Sequence, residues 1–140
     1  QARFQYLLIS VLRLTALQPN EGMGTLSKNA RIPMAVAQYL KDSLAVEHSL
    51  EELAKRFSVS KNHLTILFKQ QFGMTPVQYL KKLRIDEAQS LLRESDRSIS
   101  EIASLTGFVN ATYFARVYKQ CTGHTPTEDA KNAFDTFDNG

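Results

Sequence analysis

The sequence predicts an all-α protein built from two helix-turn-helix subdomains joined by one long connecting helix. Three observations carry that expectation. No segment after Pro33 shows the strict alternation of a half-buried strand. One ordered set of helix starts and stops occurs twice along the chain. Between the two copies lies a run with no glycine and no internal proline, rich in good helix formers.

Taken in order, residues 3–17 place Phe4, Leu7, Leu8, Val11, Leu12 and Leu14 at helical spacing. Tyr6, Ile9, Ala16 and Leu17 make this helix apolar on other sides too, so it needs a partner surface. Residues 1–18 are expected to be the terminal helix of an upstream domain or a dimer seam, the alternative being a core helix of this domain. A start at Gln1 rather than methionine agrees with a piece of a longer polypeptide. Residues 19–33, with Pro19, Gly22, Gly24, Ser27 and Asn29, have the composition of a flexible linker. The domain proper is expected over 34–128, followed by a tail at 129–140.

The first helix-turn-helix is placed at about 49–73 and the second at about 98–123. The segment SLEELAKRFSVSKNHLTILFKQQFGMTP from Ser49 matches SISEIASLTGFVNATYFARVYKQCTGHTP from Ser98. The offset is 49 through Ala54 and Ala103, and 50 from Val59 and Val109 to Pro76 and Pro126. Each copy opens on S-x-x-E, Ser49 with Glu52 and Ser98 with Glu101, the pattern of a reciprocal capping box. After a short break, Ser60 and Asn110 are good caps for a second helix. Gly73 and Gly123 can end that helix in a left-handed conformation, and Thr75-Pro76 and Thr125-Pro126 start another. The connecting helix over about 76–94 aligns Val77, Leu80, Leu83, Ala88, Leu91 and Leu92 along one side. At 1.5 Å rise per residue it is roughly 28 Å long, close to the ~34 Å between successive major grooves on one face of B-DNA.

Composition bounds the function. The 140 residues carry a net charge of +3, which permits an anionic partner without requiring one. A lone cysteine, Cys121, excludes an internal disulfide and a cysteine-cluster metal site, and it falls on an expected core stripe as a small apolar residue. No run approaches the ~18 apolar residues of a membrane span, and no secretory signal is present, which points to the cytoplasm. His48, His63 and His124 have no partner at metal-ligand spacing, and Gly22-Met23-Gly24 lacks the context of a phosphate loop. With no catalytic constellation either, neither an enzyme nor a cofactor is expected.

The outward faces of the two second helices carry the chemistry. On residues 60–72 the core stripe is Leu64, Leu67, Phe68 and Phe72, leaving Ser60, Lys61, Asn62, His63, Thr65, Ile66 and Lys69 outside. On 110–122 the stripe is Phe114, Val117, Tyr118 and Cys121, leaving Asn110, Ala111, Thr112, Ala115, Arg116 and Lys119. These faces hold no carboxylate. Amides and hydroxyls can reach base edges, and Lys and Arg neutralise phosphates. The favoured partner is therefore double-stranded DNA; a helical module that binds another regulator is the alternative. Ala111 and Ala115 leave the second helix few hydrogen-bonding groups, so the first is expected to do more of the base reading.

Residues 34–128 resemble the DNA-binding domain of the AraC/XylS family of bacterial transcription regulators. The carriers are SLEELAKRFSVSKNHLTILFKQQFGMTPVQYLKKLRIDEAQSLL, then ISEIASLTGF and YFARVYKQCTGHTP. The resemblance implies seven helices, promoter DNA as target, an activator that contacts RNA polymerase, and an upstream effector-sensing or dimerising domain through which the protein pairs. It also implies that Asn62, Thr65 and Ile66, and Ala111, Thr112, Ala115 and Arg116, face the groove. The family's aromatic-Arg pair after the final proline is missing, with Thr127, Glu128, Asp129 and Ala130 in its place. The last helix is thus expected to pack less firmly, with Phe134 or Phe137 as substitutes.

Overall fold

The computed structural model describes residues 28–138, all of them helical or in short connections. The helix expected over 3–17 and most of the linker lie outside the described residues. Seven helices follow: α1 Lys28–Asp42, α2 Leu50–Arg56, α3 Lys61–Phe72, α4 Pro76–Glu94, α5 Ile99–Leu105, α6 Ala111–Thr122 and α7 Pro126–Asp138.

Nearly every helix boundary is set by the residue type that the local backbone requires. Ser49, Ser60, Ser98 and Asn110 each accept a hydrogen bond from the third residue of the helix they precede. Thr75 forms a full capping box with Gln78, and Thr125 does the same with Glu128. Gly73 and Gly123 close α3 and α6 in left-handed conformations, φ 72° and 83°. The second of the two expected S-x-x-E boxes is only half made. The Glu101 amide donates to Ser98, but the Glu101 carboxylate lies 4.0 Å from Arg97 instead of returning to the Ser98 amide.

Two apolar cores form, and α4 belongs to both. The first gathers Val36, Ala37 and Leu40 from α1, Leu53 and Ala54 from α2, Leu64 and Phe68 from α3, and Leu80 from α4. The second gathers Ile85, Ala88 and Leu92 from α4, Ile102 and Ala103 from α5, Phe108 from the turn, and Phe114, Val117 and Tyr118 from α6. Each large side chain so buried contributes roughly 1.5–3 kcal/mol. The changeover along α4 falls between Leu83, packed on the first core, and Ile85, buried in the second.

Four expectations need correction. Helix α1 starts at Lys28, inside the segment expected to be linker, and runs through a buried Pro33. The missing proline N–H falls opposite the Asn29 carbonyl, so the gap in the hydrogen-bond ladder lies in the first turns of α1. Residues 129–138 are not a tail but most of α7, which packs along α4. Its anchors are Ala130, against the second core, and Asp129, which accepts a 2.5 Å hydrogen bond from the Tyr118 hydroxyl; Phe134 stays 58% exposed. On α4, Ile85 joins the buried stripe while Val77 is 51% exposed. Cys121 is exposed rather than core, because it sits in the last turn of α6, beyond the stretch that covers the second core.

The repeat is sharper in space than in sequence. In both units the turn is closed by the same backbone bonds: Val59 N–H to Ala54 and Phe108 N–H to Ala103, each 2.9 Å. Ser58 and Gly107 therefore correspond, both with positive φ (56° and 86°). The offset of 49 thus persists through Val59 and Phe108, and the extra residue of the second unit is Val109, 85% exposed.

Candidate nucleic-acid interface

Burial of one stripe decides what α3 and α6 can present. With Leu64, Leu67 and Phe68 turned inward, α3 leaves Lys61, Asn62, His63, Ile66 and Lys69 exposed and Thr65 half-buried. With Phe114, Val117 and Tyr118 inward, α6 leaves Thr112, Arg116 and Lys119 exposed. Ala111 and Ala115 are half-buried, and Ala111 packs on the second core, so the alanines contribute shape rather than reach.

Several of these groups already have local work. Ser60 Oγ accepts from the His63 amide at 3.1 Å, and Asn110 Oδ1 accepts from the Tyr113 amide at 2.8 Å. Both residues are exposed, so Asn110 keeps its amide donors for an outside acceptor. The Thr65 hydroxyl donates to the Lys61 carbonyl at 2.9 Å and keeps its lone pairs. In the first turn of α3, Asn62 is an exposed amide able to both donate and accept in one plane, as a bidentate contact to adenine requires; Gln70 and Gln71 offer the same chemistry only at the far end of the helix.

The electrostatics point the same way. The first turns of α3 and α6 contain no acidic residue, as is also true of α1 and α4, whereas α2, α5 and α7 carry Glu51 and Glu52, Glu101, and Glu128 and Asp129 there. The positive ends of the two candidate reading helices are left uncompensated, as contact with phosphate favours. Two exposed residues were not singled out from sequence. Tyr113 is 37% exposed, with the Arg116 guanidinium 5.3 Å above its ring, which holds that cation on the outer face of α6. Val109 precedes the Asn110 cap and projects an apolar side chain beside it. Periodicity could not reveal Val109, because it lies outside both helices.

Among the described residues, no group of three or more His, Cys, Asp or Glu side chains could hold a metal ion, and no buried side-chain polar atom lacks a partner. No described helix is long and apolar enough to cross a membrane.

Comparison with known proteins places the chain among regulators. Residues 53–132 match the family model described as a helix-turn-helix domain. The chain is 40% identical over 119 residues to the HTH-type transcriptional activator RhaR of Cronobacter sakazakii, covering 85% of this chain and 41% of that protein. It therefore spans about two fifths of the length of this curated relative. Among solved structures, the DNA-binding domain of AdpA, a global transcriptional factor in complex with a target DNA, superposes with a TM-score of 0.73 at 25% identity, covering 77% of this chain and 97% of that one. The C-terminal domain of AraT, a response regulator from Geobacillus stearothermophilus, gives 0.71 at 27% identity, covering 76% and 88%.

Proposed function

For a chain that belongs to the AraC/XylS family of helix-turn-helix transcription regulators, we propose that residues 28–138 read promoter DNA with α3 and α6 in successive major grooves. The observation that carries the reading is the pair of carboxylate-free helix faces, one on each of the two cores that share the 19-residue α4. Asn62, with Thr65 and Ile66 beside it, reads bases from the first unit. In the second unit Thr112 and the methyl faces of Ala111 and Ala115 meet the bases, while Arg116 holds a phosphate or one guanine. Lys61, His63, Lys69 and Lys119, with the caps Ser60 and Asn110, take phosphates along the flanks.

In the whole protein this domain acts as an activator in the cytoplasm, with no catalysis of its own. A further domain senses an effector and pairs two chains, and RNA polymerase is the second partner. These parts of the proposal rest on the family, on relatives called activators, and on their greater length.

Enrichment of random-sequence duplexes by the chain tests the reading. A two-part motif, its halves about one helical turn apart and its affinity falling steeply with salt, is the expected result. Weak salt-sensitive binding with no enriched motif would overturn it in favour of a module that binds another regulator.

A further inference from the structure

Arg84 occupies the changeover between the two cores, one residue after Leu83 and one before Ile85. Its guanidinium leaves the connecting helix to reach the loop between α1 and α2. Nε donates to the Leu44 carbonyl at 3.0 Å and Nη2 to the Val46 carbonyl at 2.9 Å, partners 40 and 38 residues away. Leu44 packs on the first core, so these bonds tie the first unit's loop to the middle of α4.

The second unit arrives at the same place. A Cβ on Gly107, in the turn before α6, would stand 3.0 Å from the Ala45 Cα and 3.0 Å from Cζ and Nε of Arg84. The turn of the second unit, the loop of the first and the guanidinium are therefore in direct contact. The corresponding turn of the first unit makes the contrast. Ser58 adopts the same left-handed conformation with an exposed side chain, so φ alone does not demand glycine there. At 107 the close approach demands it as well.

We propose that Arg84 is a positioning residue that locks the two reading heads at a fixed separation and angle, so that the chain measures the spacing between the two halves of its DNA site. This inference rests on the two-headed reading proposed above. Helix α4 sets a length, but two small cores joined by one helix can still rock about it. Two charge-assisted bonds to carbonyls of one unit, with the turn of the other seated on the same guanidinium, remove that freedom. Burial pushes the Arg84 pKa down, opposed by the Glu47 carboxylate, so the desolvated cation has a counter-charge in the loop it is bonded to. Fixing the geometry before binding raises the effective concentration of the second head at the native spacing and lowers it elsewhere.

The test compares the chain with Arg84→Met and Arg84→Lys on duplexes carrying the enriched motif at native spacing, with one or two base pairs added or removed, and with one half scrambled. The unaltered chain is expected to lose on the order of tenfold in affinity on a one-pair change, as a fixed linkage between two modules requires. Arg84→Met is expected to bind native spacing about tenfold more weakly and to discriminate spacing by less than about threefold, with single-half binding unchanged. Arg84→Lys keeps the charge and stem but loses the fork that spans two carbonyls, so it follows Arg84→Met and serves alone if that variant fails to fold. A variant that melts normally and keeps the parental spacing profile overturns the inference while leaving two-headed reading intact. So does a loss confined to single-half binding. If the unaltered chain shows no spacing preference, the inference and the reading beneath it fall together.

Discussion

Three glycines share one backbone conformation and differ in what surrounds them, which makes them an internal control. Gly73, Gly107 and Gly123 have φ of 72°, 86° and 83°. A Cβ at Gly73 or Gly123 would meet nothing within 4 Å, whereas at Gly107 it would meet Ala45 and Arg84 at 3.0 Å. Placing alanine in the left-handed region costs roughly 1–2 kcal/mol, partly offset by about 0.4–1 kcal/mol from a stiffer unfolded chain. Gly73→Ala and Gly123→Ala should each lose about 1 kcal/mol. Gly107→Ala adds overpacking, typically 1–3 kcal/mol, because the Ala45 side of the contact is backbone and cannot swing away. Its total should be about 2–4 kcal/mol. Urea unfolding followed by helical circular dichroism, with the slope unchanged across variants, measures all three. Equal losses at the three positions would refute the argument that units one and two touch through Gly107.

Asn62→Ala should flatten base preference in one half of the motif, at about 1–3 kcal/mol, while Arg116→Ala should weaken all sequences alike and lower the salt slope by about 1. Quantitative binding to a mutated-site panel decides the ranking, and it fails if Arg116→Ala erases preference while Asn62→Ala spares it. Leu83→Pro should cost about 3 kcal/mol or more in α4 and abolish two-part binding while each unit stays partly folded; undiminished tight binding would contradict a rigid connector. The Thr125 amide, 2.8 Å from Glu128 Oε2, holds that carboxyl below its ordinary 4.5. The lowered value stabilises the fold above 4.5, and the contribution disappears as pH falls through the folded-state value. Gln can still make the cap, as Gln78 does for Thr75, so Glu128→Gln should melt lower at neutral pH and converge with the parent in acid; a constant gap would refute the charge contribution.

What could be read from sequence was what short-range chemistry controls. Ser49, Ser60, Ser98, Asn110, Gly73, Gly123, Pro76 and Pro126 mark boundaries because each satisfies or terminates a backbone within four residues of itself. The repeat was legible for the same reason, and with it the two stripes that leave α3 and α6 facing out. What stayed hidden depends on distant partners. Pro33 reads as the end of a linker, yet the core shelters it inside α1. Asp129 and Ala130 read as tail until Tyr118 and the second core are beside them. Cys121 keeps the periodicity of a core residue but lies past the edge of what α6 covers. Arg84 looks like one more surface cation, since its carbonyl partners lie 38 and 40 residues upstream.

The additional residue Val109 has a consequence for direction. Because the turn into α6 is one residue longer than the turn into α3, the two heads are not interchangeable copies. An exact internal two-fold would let the domain sit on a duplex equally well either way round. With unlike turns and unlike exposed side chains, it has a front and a back. On the proposed reading, inverting the binding site end for end turns the whole domain around, carrying α7 and the exposed Phe134 to the opposite flank. On that reading the domain fixes an arrow along the DNA.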